Sequence, residues 1–541
     1  MAGGGSRRLV ARRTGADRGA RAPSRVLKQH PARSFATIRR TGMLHFGFPP
    51  RLAGLGTTTT RPDMKIWILG MVASAWAHAT LALDSTLDTS FGNGGQRLLS
   101  YQLASNEPDQ GLAILHDSLG RRIVIVVRRN PFPLAPGRPF ELILFRYLAS
   151  GTVDTSFGAG SGQVRATTDW TEFRGALVDR QNRIVVAGTV VDGTPASAGL
   201  NLLRLTADGQ RDGSFNGGFP GNNGIVGYGF GPSTANRMVA VALLPNDDLV
   251  TAANLDQGNG DVILQRISGS NGTPVTAWGN GGGLQIVDLQ PAANAARDTV
   301  VGLSVLPDGR VLVLAQSCSA ALGCLPAAAQ LTATSGQLDT SFCASTACMN
   351  ASVAGANRGR RVVRNLQVDG QVVTQMATTV VLRDDAGRIV YGGRATLASG
   401  GAPLLFLRLN ANGELDSGFG SPATPGFQSL ALAGVPLAAS ALQRDASGRL
   451  VVGGEGEYAG LRRIYVARLG DNGQPDPGFG GAGALVEYFA TPAAEDRALR
   501  ALAFDGARIL GLGDYHGASN RDAFLFRLGG SADGVFASGF E

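Results

Sequence analysis

A short phrase that returns seven times constrains this chain more than any other feature. It reads Leu87-Asp88-Thr89-Ser90-Phe91-Gly92, then Val153-Asp154-Thr155-Ser156-Phe157-Gly158, Leu338-Asp339-Thr340-Ser341-Phe342 and Leu415-Asp416-Ser417-Gly418-Phe419-Gly420. Looser copies end on Phe215, Trp278 and Phe479. Successive aromatic anchors lie 58 to 77 residues apart. Such self-similarity dictates architecture before any single residue does, because one repeat cannot bury its apolar face alone.

Two further signals recur in order within each period. One is a turn running into a β-branched run, as in Arg183-Ile184-Val185-Val186-Ala187-Gly188, Arg388-Ile389-Val390-Tyr391-Gly392-Gly393 and Arg449-Leu450-Val451-Val452-Gly453-Gly454. Short apolar runs closed by glycine read as strands buried on both faces. The other is a strand ending in arginine before a tight turn, such as Phe406-Leu407-Arg408-Leu409 before Asn412-Gly413. Asp-Gly and Asn-Gly accept the positive φ of tight turns and send the chain directly back. With the anchor strand and a weaker apolar stretch such as Gly175-Ala176-Leu177-Val178, each period holds about four strands.

Four antiparallel strands repeated seven times predict an all-β, seven-bladed propeller over residues 83–530, each sheet burying its faces on its neighbours. The array opens on the anchor strand from Leu87 and closes on Phe524-Leu525-Phe526-Arg527-Leu528, so an N-terminal strand completes the last blade. An open β-solenoid or two stacked β domains is the alternative. The combined pattern of Leu-Asp-x-Ser-Phe-Gly, Asp-x-Gly-Arg-Ile-Val-x-Gly-Gly and Phe-x-x-Arg-Leu-Asn-x-Asn-Gly resembles the bacterial delta-60 repeat, over about residues 87–529. That resemblance implies an exported, propeller-like protein and brings no catalytic residues with it. The unit at Val275-Thr276-Ala277-Trp278-Gly279 departs by lacking the aspartate.

The net charge of +8 invites a nucleic-acid partner, but its distribution removes that reading. Residues 1–63 hold twelve arginines and Lys28 against Asp17 and Asp63, which leaves the rest of the chain at about −3. That segment reads as a disordered basic extension from a miscalled start, with an Arg-rich targeting segment as the alternative. Residues 64–82 read as a signal peptide: Lys65, then apolar Ile66 to Trp76, then the small-x-small site Ala77-His78-Ala79. The apolar stretch is short for a membrane span. Residues 531–541 read as a short tail. The expected location is therefore the periplasm, cell surface or medium, and the expected state a monomer.

Cys318, Cys324, Cys343 and Cys348 all fall in one unit. An even, clustered set in an exported protein predicts two disulfides, Cys318 with Cys324 and Cys343 with Cys348. The other pairings and a four-thiolate zinc site are the alternatives, though no C-x-x-C pair is present. The anchors Phe91, Phe157, Phe215, Trp278, Phe342, Phe419 and Phe479 read as packing between sheets rather than as a sugar- or base-stacking surface. Arginines end the third signal at Arg146, Arg204, Arg266, Arg408, Arg468 and Arg527, with Gln330 in the remaining unit. They face the anchor aspartates across a tight turn, which suggests a charge-assisted pair. The exceptions do not coincide, since Gln330 keeps Asp339 while Arg266 meets Val275, so backbone or a neighbouring blade is an alternative partner. No cofactor is expected; calcium at Asp247-Asp248 or Asp384-Asp385 is an alternative to turn capping, but no regular acidic ladder is present.

For catalysis the chain beyond residue 82 is sparse. It holds only His116 and His516, no lysine, and no G-x-S-x-G, H-E-x-x-H or P-loop pattern. These readings converge on a non-catalytic propeller that binds a macromolecule or glycan, or serves as an envelope scaffold. The rival is a carboxylate-dependent polysaccharide lyase or glycoside hydrolase with its site in the channel. Loops Arg128–Phe140, Asn216–Gly231 and Cys343–Thr378 are the expected ligand contacts at one mouth.

Overall fold

The second strand of every unit dictates the packing. Runs such as Ile184–Thr189 and Leu249–Asn254 are apolar on both faces and buried along almost their whole length, so each must lie between two other sheets. The structure, a computed structural model, describes residues 86–99, 109–129, 140–168, 170, 172–189, 199–219, 221, 223–229, 237–255, 260–291, 296–353, 358–431, 435–458, 460–480, 484–486, 496–516 and 522–529. The segments read above as a basic extension (1–63), a signal peptide (64–82) and a tail (531–541) lie outside the described residues.

Seven antiparallel sheets follow one another along the chain. Blades 1 to 6 span 109–168, 172–229, 237–287, 297–362, 367–430 and 437–486. Blade 7 takes three strands from 496–528 and its outer strand from Gln96–Leu98, which pairs with Phe524–Phe526. The N-terminal strand thus completes the last blade and fastens the ring. Blade 5 carries an extra short edge strand at Gln367–Val368, and a two-stranded hairpin, Gly420–Ser421 with Thr424–Pro425, interrupts its third crossover. One helical turn, Thr346–Asn350, is capped by Ser345, whose hydroxyl accepts from the Cys348 N–H.

First strands of successive blades touch in a closed cycle, blade 7 meeting blade 1, so they surround a central channel. Each first strand carries a register shift against its second strand, at Gly111/Ala113, Phe173/Gly175, Met238/Ala240, Val300/Gly302, Thr378/Val380, Ala439/Ala441 and Leu499/Ala501. A bulge adds twist and bends a strand, which suits strands curving about an axis. Side chains from the preceding blade meet the N–H groups beside three of these bulges. Asn254 accepts from Val300 (2.8 Å), Gln316 from Thr378 (2.9 Å) and Asp514 from Gly111 (2.7 Å).

The apolar core is divided among the seams between blades. Val124 and Val126 of blade 1 pack with Leu510, Leu512 and Leu525 of blade 7, and Ile123 and Ile125 pack with Ile184 and Val186 of blade 2. Burial of this kind, worth about 25 cal/mol per Å² of apolar surface, is available only when a neighbour is present.

Candidate functional site

Strands alternate in direction, so the turns from first to second strand and from third to outer strand share one end of the ring. At that end lie the repeated arginines and aspartates. Arg146 donates from Nε to Asp154 (2.7 Å), Arg204 to Asp212 (2.8 Å), Arg408 to Asp416 (2.7 Å) and Arg468 to Asp476 (2.7 Å). Arg527 pairs with Asp88 at 2.6 Å, the contact that ties the N-terminal segment to blade 7.

The same guanidinium does two further things. It lies over its own unit's anchor, at 4.5 Å from the ring centre for Arg146 and Phe157, 4.2 Å for Arg204 and Phe215, and 4.9 Å for Arg527 and Phe91. It also reaches the next blade: Arg146 donates to the Ala207 carbonyl, Arg204 to that of Gly269 and Arg408 to that of Asp471. Intra-unit pair and neighbour contact therefore coexist in one side chain. All seven anchors are buried, none exposing more than 3% of its surface, so no anchor presents a stacking face to solvent. The turn glycine of the following blade sits against the anchor. A Cβ on Gly473 would lie 2.5 Å from the Phe419 ring, and one on Gly336 2.5 Å from Trp278.

The two exceptions have physical solutions. In blade 3, where Val275 replaces the aspartate, Arg266 turns to Asp248 of the first turn (2.8 Å) and still reaches the Ala333 carbonyl of blade 4 (3.1 Å). In blade 4, Gln330 donates to Asp339 (2.8 Å), and Arg310 supplies the missing cation at 3.0 Å. Burial raises the Asp154 carboxyl, but Ser156 and Arg146 outweigh it and hold it below the usual carboxylate range. The same balance, struck by Ser90 and Arg527 or by Ser214 and Arg204, lowers Asp88 and Asp212. These groups are consumed in holding blades together.

The cysteines form two disulfides at opposite ends of blade 4. Cys318 and Cys324 bridge facing strands, and Cys343 and Cys348 clip the turn behind Phe342. The acidic turns considered for calcium are engaged: Asp248 accepts from Arg266 and the Gly269 N–H, and Asp384 accepts from the Arg388 backbone and side chain. His116 ends a first strand and His516 ends a second strand, so they stand at opposite ends of the ring.

The expected mouth loops do not gather as foreseen. Described residues of 216–224 and 343–359 lie between third and outer strands, and Ile225–Gly229 form the outer strand of blade 2 itself, at the rim and away from the first strands that surround the channel. Past Val362 the long excursion reaches the other end of the ring and enters the first strand of blade 5. Residues 130–139 lie outside the described set.

The channel itself holds a cavity of about 510 Å³, walled by first strands of blades 1, 4, 5, 6 and 7. Its polar lining consists of Ser304, Thr379, Ser440, Gln443, Arg383 and Arg500, among backbone and aliphatic groups. Arg500 is held by Asp514 at 2.5 Å. No carboxylate or imidazole is among the described residues of this lining.

At the opposite end from the arginine network, Asp261, Asp288 and Asp298 place three carboxylate oxygens within 4.8 Å of one another. They come from the start of a third strand, the end of an outer strand and the start of the next first strand. Asp298 is fully buried, accepting from the Ser317 hydroxyl and from the Leu289 N–H (2.6 Å); burial and its two acidic neighbours push its carboxyl up to about 6. Sequence reading missed this cluster, because its members fall in three segments with no spacing rule.

Three stretches, 182–215, 387–419 and 446–479, match the sequence profile of a family described as a domain of unknown function, DUF5122 beta-propeller. Each runs from the first turn to an anchor aromatic. No curated protein matches the sequence. Among solved structures, the polysaccharide lyase Uly1 is similar at 10% identity and a TM-score of 0.45, covering 83% of this chain and 97% of that one. The PL25 ulvan lyase gives 8% identity and 0.42, covering 80% of this chain and 96% of that one. The β-propeller domain of the Trilobed protease from Pyrococcus furiosus gives 5% and 0.37, covering 77% and 95%. At these identities and scores the likeness carries nothing about substrate or chemistry.

Proposed function

We propose that this chain is an exported, non-catalytic β-propeller that binds a glycan or another macromolecule rich in hydroxyl or anionic groups at its central channel. One observation carries the reading. The lining of the channel cavity presents hydroxyls, an amide and two guanidiniums, and the repeat's own acids and arginines are tied up between blades. Donors of this kind hold oxygen-rich ligands. General acid–base work needs groups that take up and release protons beside the scissile bond.

Export rests on the signal-like segment 64–82 and on two disulfides, which persist in oxidising compartments. Kinship with the delta-60 repeat is part of the same proposal. No helix among the described residues is long and apolar enough to cross a membrane.

The test is a panel of neutral and acidic polysaccharides, scored for retention of the protein and for release of product. Retention without product is expected. Loss of Arg383, which makes no ion pair among the described residues, should weaken retention about tenfold, the scale of one hydrogen bond to a charged group. Product release would instead establish the lyase or hydrolase alternative. Absence of retention by every polymer would leave the scaffold role.

A further inference from the structure

Blade 1 and blade 4 use the same structural position in two ways. The first strand of blade 1 begins at Asp109, which lies opposite Arg128 on the second strand. Arg128 grips that buried carboxylate with two bonds of 2.7 Å. In blade 4 the corresponding partners are Asp298 and Ser317. The carboxylate is again buried, but a hydroxyl stands where the guanidinium would be.

Instead of gaining a cation, the site gains two more acids. Asp261 and Asp288 of blade 3 bring carboxylate oxygens within 4.8 Å of that of Asp298. Asp261 Oδ1 is buried and accepts no hydrogen bond. Arg360 carries a positive charge that Asp288 and Asp298 both feel, but its Nη1 donates to the Asp288 backbone carbonyl (2.6 Å) rather than to a carboxylate. Arg297 packs its stem over Gly260. Among the described residues no arginine forms an ion pair with any of the three acids.

A second observation points the same way. Gln290 exposes 1% of its surface and is woven into the cluster at both ends. Its N–H donates to Asp288 (2.9 Å), and its Nε2 donates to Ser317 (2.7 Å), which in turn donates to Asp298. Its Oε1 is buried with no donor. A buried acceptor without a donor costs about 1–3 kcal/mol, and this one belongs to a side chain tied through Ser317 to an acid that no described guanidinium bonds. One missing species would answer both deficits: a cation that takes oxygen ligands.

We infer that Asp261, Asp288 and Asp298, with the unpartnered Gln290 amide oxygen as a further ligand, form a site for a divalent cation of calcium type in the seam between blades 3 and 4. The donor set is all oxygen, with neither imidazole nor thiolate, which suits calcium or magnesium and not zinc. Ligands at 2.3–2.6 Å from a calcium ion lie at most about 5 Å apart, and the trio meets that limit. Asp261 and Asp288 are only half-buried, which leaves an approach from solvent and room for water to fill the remaining coordination positions. The bound ion would join blades 3 and 4 at the position where blade 1 pairs Arg128 with its own Asp109.

The test uses the full chain stripped with chelator and titrated with calcium chloride to about 10 mM, the upper range for extracellular modules. Calorimetry and the unfolding temperature are the readouts. Wild type should bind one ion saturably and melt at higher temperature with calcium. Asp261→Asn should weaken calcium binding at least about tenfold while melting like wild type in chelator, because it removes a ligand oxygen without breaking a hydrogen bond. Ser317→Arg, which copies blade 1, should abolish the calcium response and raise the melting temperature in chelator. The inference fails if wild type shows no saturable binding of calcium or magnesium. It also fails if both variants keep the wild-type response, because the ion would then bind elsewhere.

Discussion

At the residue scale the decisive object is an arginine with three simultaneous partners. Arg204 pairs with Asp212, covers Phe215 and donates to blade 3, all while exposing 1% of its surface. Removing one member of a buried pair leaves the other charge uncompensated, at about 3–5 kcal/mol. Arg204→Met should therefore lower stability on that scale in denaturant titrations. Arg204→Lys should recover only part of it, because an ammonium cannot serve carboxylate, ring and carbonyl from one plane. A loss below about 1 kcal/mol for Arg204→Met would contradict the lock.

Acid should act through the same pairs. Asp88, Asp154 and Asp212 have folded-state values lowered from 3.8, so their contribution is full above that pH and is lost as pH falls through the lower, folded values. Unfolding monitored by circular dichroism should therefore set in below about pH 4 and move to lower pH with stronger pairing. The sequence exposed these aspartates and arginines through their shared repeat. It hid the substitutes, Asp248 for Val275 and Arg310 beside Gln330, because each lies in a different turn from the residue it replaces.

At the element scale, tight turns and anchors interlock. Gly473 has φ of +82°, and its Cα faces the Phe419 ring of the preceding blade. Gly473→Ala combines a left-handed backbone penalty of about 1–2 kcal/mol with a steric clash, so its melting temperature should fall measurably. Alanine at exposed Gly94, where nothing lies near, should pay only the backbone part. Equal losses at the two positions would remove the interlock.

Elements were legible in proportion to their regularity. Second strands stood out because burial on both faces leaves an unbroken apolar run. First strands gave weak signals because a bulge interrupts each, shifting the alternation that pattern reading depends on. Outer strands are as short as Arg360–Val362 and carry little pattern. The Asp trio had no sequence signature, because strand order rather than spacing brings its members together.

At the scale of the whole molecule, ring geometry was legible from the repeat, whereas the location of the ligand-contacting surface was not. Loop length drew attention to the rim, but the cavity is walled by first strands whose polar residues follow no motif. The closed ring also makes residues 86–99 a clasp. They supply the outer strand of blade 7, the buried Phe91 and the Asp88 partner of Arg527, and Phe91 packs in the seam shared with blade 1.

Hydrogen exchange followed by mass spectrometry on Asp88→Asn, compared with wild type, tests that closure most directly. Loosening the clasp of a closed ring should speed exchange together in 508–516 and 523–528 of blade 7 and in 109–129 of blade 1. Faster exchange confined to 86–99, with blades 7 and 1 as protected as before, would contradict a ring fastened at that seam.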